Sequence, residues 1–354
     1  MRKVIEAKFF VSFLVLFSIW ILNSCQDYVP PPKIDKTELW KGISSAIHLL
    51  STTSEGAAGG NYVLGSKATY ITAITAAQVV YADVAATQDR VNTAVADLNT
   101  AVSTYKSRKV PAIDPANLVA HYTFDQIGGT ALGVAVTDYS GNGRTASLNV
   151  GHARWGKGVP SLALDRYGAD GKCLHFDKGG NIEIPYSADF NPPILSISLW
   201  IKSDINAPII SNQYIFSLNR SRGYEAHFQD SPKAIFTVNP AESPGNYITE
   251  DSPLLSQGLW RHIVFTFGGG HMKFYVNGAL VKDAVHTGTI LKQALPINLI
   301  LGQDLPTDRY SSDPASPNYV NNGGYFIGIM DEVRIYKSIL TPEQITSIYN
   351  IEKP

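Results

Sequence analysis

The sequence predicts a mainly β protein: a large antiparallel β-sandwich preceded by a small N-terminal three-helix bundle. Three observations carry this. First, Gly324 to Leu340 reads as a long closing strand. Tyr325, Ile327, Ile329 and Asp331 fall on one face and Phe326, Gly328, Met330 and Glu332 on the other, and apolar residues on both faces make it a central strand. Second, 29 glycines and 18 tyrosines suit a turn-rich, β-rich chain. Third, residues 35–108 are rich in Ala, Thr and Val at helical spacing.

In chain order, residues 1–24 begin with Arg2, Lys3 and Lys8 and run into the apolar stretch Phe9–Leu22, which reads as a secretory signal. The stretch is short for a membrane span of roughly 20 residues. Leu22-Asn-Ser-Cys25 resembles a bacterial lipobox, which implies lipidation of Cys25 and a membrane attachment through that anchor. Gln26 and then Asp27 follow the cysteine, in place of a directly adjacent Asp. That favours the outer membrane or cell surface of a Gram-negative bacterium. Residues 25–34 hold the spacer Val29–Lys33, whose prolines favour extended chain.

Residues 35–109 form the bundle. Leu39, Ile43, Ala46, Ile47 and Leu50 stripe its first helix, behind a capping-box pattern Asp35-x-x-Glu38. The second helix runs from about Ser66 to Tyr81 with Ile71, Ile74, Gln78 and Tyr81 on one side. The third carries Val91, Val95, Leu98, Val102 and Tyr105. The piece resembles the FIVAR type of three-helix module, which implies a spacer or a binding module. Residues 110–116 contain two prolines and form the linker. The sandwich spans 117–354 and closes with Thr341-Pro-Glu-Gln344, a cap for a terminal helix reaching about Asn350.

Within the sandwich, Tyr122-Thr-Phe-Asp125, Asp138–Gly143, Leu174–Asp177, Ile182–Pro185, Ser196–Lys202, Trp260–Phe267, Phe274–Gly278, Ile300–Gly302 and the closing Asp331-Glu-Val-Arg-Ile-Tyr336 come in a fixed order. That order resembles laminin-G-like domains of the concanavalin A-like lectin/glucanase superfamily. The resemblance implies a jelly roll, and in many relatives a calcium ion held by an acidic residue of the first strand and the aspartate of the last. The matching positions are Asp125 and Asp331, for a structural Ca2+ completed by backbone oxygens such as those near Gly180. The plainer alternative has Asp125 capping a turn and Asp331 paired with a basic residue.

The formal net charge is −1 and no basic run is present, which argues against nucleic acid. Two cysteines cannot build a disulfide framework, and Cys173 reads as a small buried residue. No H-x-x-x-H or H-E-x-x-H occurs among the eight histidines. Nor do the 30 acidic residues contain the E-x-D-x-E type run of the family's glucanases, in which period-2 spacing puts carboxylates on one strand face. Glu225 and His227 share a face with no second carboxylate beside them. The chain is therefore expected not to be an enzyme.

Sugar modules stack aromatic rings on pyranose faces. Trp200 and Trp260 lie in strand motifs and read as core. Trp155 lies in a Gly-flanked loop, Tyr247 in the loop Pro240–Pro253, and Tyr310 and Tyr319 in the loop Asp304–Asn322. Loops that long are often functional. These four are the expected carbohydrate-binding residues. The reading is a surface lipoprotein that captures a glycan or polysaccharide, with possible partner proteins of an uptake complex. A glycoside hydrolase or lyase with an unrecognised site, or a protein-binding adhesin, are the alternatives.

Overall fold

The computed structural model describes residues 33–56, 58–205, 212–229 and 231–354. The expected signal, Cys25 and most of the proline spacer lie outside the described residues. The chain divides into two compact units: one includes residues up to Thr52 with Lys67–Tyr105, the other Thr53–Ser66 with Lys106–Pro354.

The first unit has three helices: α1 (Thr37–Ser51), α2 (Ser66–Ala82) and α3 (Gln88–Ser107). Leu39, Ile43 and Ala46 of α1 are buried as expected, but the capping box does not form: Asp35 Oδ1 accepts from Thr37 N at 2.9 Å, with Lys36 at the cap. In α2 the buried stripe is Tyr70, Ile74 and Ala77, one residue round from the expected one, leaving Ile71 and Tyr81 exposed. The reason is Tyr70, whose ring stacks on Tyr105 of α3 at 4.4 Å. Val91, Ala94, Leu98 and Tyr105 are the buried residues of α3. No helix among the described residues is long and apolar enough to cross a membrane.

The second unit holds two antiparallel sheets of eight strands. Across the first run β14 (Ala279–Val285), β13 (His271–Val276), β12 (Arg261–Gly268), β7 (Leu195–Ser203), β16 (Gly328–Tyr336), β5 (Cys173–Phe176) and β4 (Ser161–Ala163), and β1 (Leu118–Tyr122) also pairs with β16. Across the second run β11 (Ile248–Asp251), β10 (Ala234–Val238), β9 (Tyr224–Phe228), β8 (Gln213–Leu218), β15 (Leu299–Leu301), β6 (Asn181–Ile184), β3 (Ala146–Asn149) and β2 (Ala135–Val136). Inward side chains of both sheets form one core. At its centre Phe265 lies 5.5 Å from Phe216, 5.4 Å from Phe236 and 5.6 Å from Phe274. Burying each such ring contributes roughly 1.5–3 kcal/mol. Cys173 is buried and free, and burial pushes its thiol up to about 12.

The closing strand is central, with β7 along one side and β5 then β1 along the other. It is shorter than the sequence suggests, and its alternation breaks at a bulge. Opposite β7 the register slips between Asp331 and Arg334, and Glu332 adopts φ +52. The extra residue re-aims the chain, so Met330, Val333 and Ile335 are all core while Asp331, Glu332 and Arg334 join a charge cluster. Asp138 organises the predicted Asp138–Gly143 turn: its carboxylate accepts from the backbone N–H groups of His121, Ser140 and Arg144 at 3.0, 2.8 and 2.8 Å.

The terminal helix α4 (Pro342–Glu352) carries the predicted capping box, Thr341 Oγ1 accepting from Gln344 N at 3.2 Å and Gln344 Oε1 from Thr341 N at 2.9 Å. Trp200 is buried, but on the helix side of the first sheet, not between the sheets. Its Nε1 donates to Glu352 at 2.8 Å, and its ring lies 5.4 Å from His262 and 5.8 Å from Tyr349. Trp260 is only half-buried. Both were expected in the core. A central strand has two covered faces, and period 2 alone cannot say which cover a ring meets.

Candidate functional site

The turn from β8 to β9 and the long loop after β15 build the site. Asn219 and Arg220 sit in the left-handed region, φ +65 and +51. Arg220 is held there by its own partners: its N–H donates to Ser217 Oγ at 2.8 Å and to Asp304 O at 3.2 Å. Its Nε donates to Asp304 Oδ2 at 2.5 Å, and Nη1 to Pro317 O at 2.9 Å. Asp304 is 0 % exposed and also accepts from the Tyr310 hydroxyl and from Gly324 N. One buried ion pair thus ties both ends of the Asp304–Gly324 stretch to the second sheet. Position 323 must be glycine for this to close, because a Cβ there would lie 2.8 Å from Asp304 Oδ1 and 3.0 Å from the Tyr310 ring. The loop is not structureless: short 3-10 turns cover Thr307–Arg309 and Val320–Asn322, and Ser311 bridges to Tyr319.

The expected aromatic residues fall out as follows. Trp155 ends a 3-10 turn that His152 opens by accepting from Arg154 N at 3.2 Å, and Gly156 follows at φ +101. Its half-buried ring lies edge-on to Tyr310 at 5.0 Å and 5.5 Å from Tyr325, and His152 is 5.5 Å from Tyr310. Trp155 and Tyr310, 155 positions apart in sequence, are therefore neighbours, and Tyr325 and His152 join them unpredicted. Tyr319 is half-buried and its carbonyl faces Arg220 Nη2 at 3.5 Å. Tyr247 is 49 % exposed and acts electrostatically on Arg222, whose Nη2 donates to Asn318 Oδ1 at 2.5 Å. The Pro240–Pro253 segment is not all loop, since it contains β11.

On β9, Tyr224, Ala226 and Phe228 point to the core, and Glu225 and His227 point the other way. Both are buried, 3 % and 7 % exposed, with the His227 ring 5.0 Å from Tyr214. Burial, reinforced by the nearby Asp304 charge, pushes Glu225 up to about 8, and burial draws His227 down to about 4. Burial thus favours the uncharged form of both side chains. Among the described residues, Glu225 Oε2 and His227 Nδ1 have no hydrogen-bond partner. The sequence reading that no second carboxylate approaches Glu225 is corrected here: Asp304 does, from 79 positions away, a proximity no local motif encodes.

Asp331 is 2 % exposed and its Oδ2 is bonded by Arg166 Nη1, the plainer of the two sequence alternatives. Burial raises the Asp331 pKa, with the exposed Asp125 near enough to add to it, and Asp331 Oδ1 has no hydrogen-bond partner among the described residues. Calcium takes about six to eight oxygens. Among the described residues no group of three or more His, Cys, Asp or Glu gathers, so most of such a shell would have to come from backbone oxygens or water.

No curated protein matches this chain. Some solved structures are similar to about two thirds of it. One is domain 4 of AbnA, an extracellular arabinanase of Geobacillus stearothermophilus, in complex with arabinotriose: 21 % identical, over 66 % of this chain and 98 % of that one, TM-score 0.45. A second is the binding domain of Paraclostridial mosquitocidal protein 1: 16 % identical, over 67 % and 52 %, TM-score 0.46. A third, from work on the ganglioside-dependent cell entry of botulinum neurotoxin type C, is 13 % identical over 67 % and 51 %, TM-score 0.46. The chain spans about half the length of these two toxin chains. Residues 176–346, from the end of β5 into α4, match a laminin G family model, and that stretch belongs to the concanavalin A-like lectin/glucanases superfamily.

Proposed function

We propose that the sandwich binds carbohydrate, with Trp155 and Tyr310 as its stacking platform. The observation that carries the reading is the packing of the Trp155 ring. It is half-buried, braced edge-on by Tyr310 at 5.0 Å, and backed by Gly179, where a Cβ would come within 2.8 Å of the indole. A ring fixed in this way loses little side-chain freedom on binding, so more of its stacking energy appears as affinity. Binding is favoured over hydrolysis by the state of the carboxylates. Asp304 is committed to Arg220 and Tyr310, and Glu225 is buried, whereas glycosidases set two carboxyl groups either side of an open scissile bond.

Titration calorimetry of the wild type against a panel of soluble glycans tests the proposal. Trp155→Ala should weaken the bound glycan by about five- to tenfold, on the order of 1 kcal/mol for one stacked ring, with the near-UV circular dichroism otherwise preserved. A wild type that binds no glycan at millimolar concentration defeats the reading and moves the adhesin alternative ahead.

The cellular side of the proposal, a glycan-capturing lipoprotein at the cell surface working beside uptake partners, rests on residues 1–32 of the sequence alone. Changing the lipobox cysteine, Cys25→Ala, should release the protein from the membrane pellet into the soluble fraction. A variant that still pellets with the outer membrane places the anchor elsewhere.

A further inference from the structure

Arg222 is a half-buried arginine that forms no ion pair among the described residues. Its backbone is fixed, the carbonyl accepting from Gln293 Nε2 at 2.9 Å and Asn239 Nδ2 at 3.1 Å. Its Nη2 donates to Asn318 Oδ1, while Nε and Nη1 have no partner among the described residues. Most other buried or half-buried arginines of the sandwich are treated differently, Arg261, which meets only the Trp260 carbonyl, excepted. Arg144 has Asp189, Arg220 has Asp304, Arg166 has Asp331, and Arg334 has Glu332 and Glu352. Asp304 is the carboxylate acting on Arg222, yet it is committed to Arg220, so two guanidinium groups share one carboxylate. Burial and the Arg220 charge both disfavour the Arg222 cation, which makes an arriving anion more stabilising there. Around it stand the sugar-type partners: Tyr247, half-exposed, the amide of Asn318, and Tyr319 next in the chain. Arg154, Lys157 and Lys178 are exposed and form no ion pair among the described residues, and Lys178 lies against Gly156, the residue after Trp155.

We propose that the glycan taken by this face carries a carboxylate, and that Arg222 with Asn318, between Tyr247 and Tyr319, holds it. The inference rests on the carbohydrate-binding reading. A charge-assisted hydrogen bond from a partly desolvated guanidinium is roughly twice as strong as a neutral one, and the uncharged form of the same sugar cannot make it.

The test uses two matched pairs of probes: polygalacturonate against its fully methyl-esterified form, and sialyllactose against lactose. Calorimetry on the wild type should give about tenfold tighter binding to the acidic member of at least one pair. Arg222→Gln, which keeps an amide of similar reach, should shrink that preference to about twofold or less at an unchanged melting temperature. A triple change of Arg154, Lys157 and Lys178 to Gln should leave most of the preference in place. Equal affinity within both pairs overturns the proposal, as does a preference that survives Arg222→Gln or that vanishes only in the triple variant. If the wild type binds neutral glycans alone, this inference falls while the carbohydrate-binding reading stands. If no glycan binds at all, both fall.

Discussion

Asp304→Ala should lower the unfolding free energy by about 3–5 kcal/mol and abolish ligand binding together. The size follows from what is left behind. The carboxylate is 0 % exposed and answers three donors: Arg220, the Tyr310 hydroxyl and Gly324 N. Removing one member of a buried pair leaves the other charge without compensation, which costs far more than the pair itself contributes. The Arg220 backbone is also left at φ +51 without its side-chain partner. The loop bearing Tyr310 and Tyr319 is tied down by the same contacts, so its loosening should remove the binding platform. Asp304→Asn keeps an acceptor but drops the charge, and should fall between the two. Urea titration checks both variants: the midpoint should drop with the slope unchanged. An Asp304→Ala midpoint within about 0.5 kcal/mol of wild type would show that the pair does not hold the loop.

The sandwich was legible in the sequence because its signals are local and repeated. Period-2 runs such as Tyr224–Phe228, and turn residues such as Asp138 with its Ser and Gly followers, specify strands and turns within a few positions. What could not be read was whatever depends on a partner far along the chain. The stripe of α2 was misassigned because Ile71 and Tyr70 are equally apolar, and only the stack on Tyr105 decides between them. The closing strand was read through with unbroken alternation, since nothing in Asp331-Glu-Val-Arg marks Glu332 as the bulged residue. At the site, Trp155 and Tyr310 were picked out singly by their loops, but their contact, the arrival of Tyr325 and the Arg220–Asp304 tie are products of topology. Glu225 has no second carboxylate near it in sequence. The missing group was in a loop whose strand, β15, pairs directly with β8.

The second large effect is expected on the opposite side of the domain, where α4 is fastened by charge. Arg334 pairs with Glu332 at 2.9 Å and with Glu352 at the end of α4. Glu332 also meets His121 at 2.8 Å, and Glu352 accepts from Trp200 Nε1 at 2.8 Å. Arg166 donates from Nε to the Glu352 carbonyl at 2.6 Å and lies over the Trp200 ring at 5.3 Å. Burial pushes the Glu352 carboxyl up, and Arg334 pulls it back. Arg334→Ala removes that pull and leaves two carboxylates short of their main cation, Glu332 with His121 and Arg166 and Glu352 with Trp200 alone, so about 3–5 kcal/mol should be lost. The last turn of α4 should detach first, since Ile345 and Ile348 pack on Val264, Tyr275 and Tyr336 but Glu352 is held by polar bonds. Trp200 reports this directly: its fluorescence should change at lower denaturant than the far-ultraviolet signal of the sheets. Replacing the cluster as a unit, Arg334→Met with Glu332→Leu and Glu352→Leu, should recover most of the loss, because an apolar cluster of similar volume needs no desolvation of charge. If Arg334→Ala unfolds with the wild-type midpoint, or if the triple variant is no more stable than the single one, the helix is held by its apolar face and not by this network.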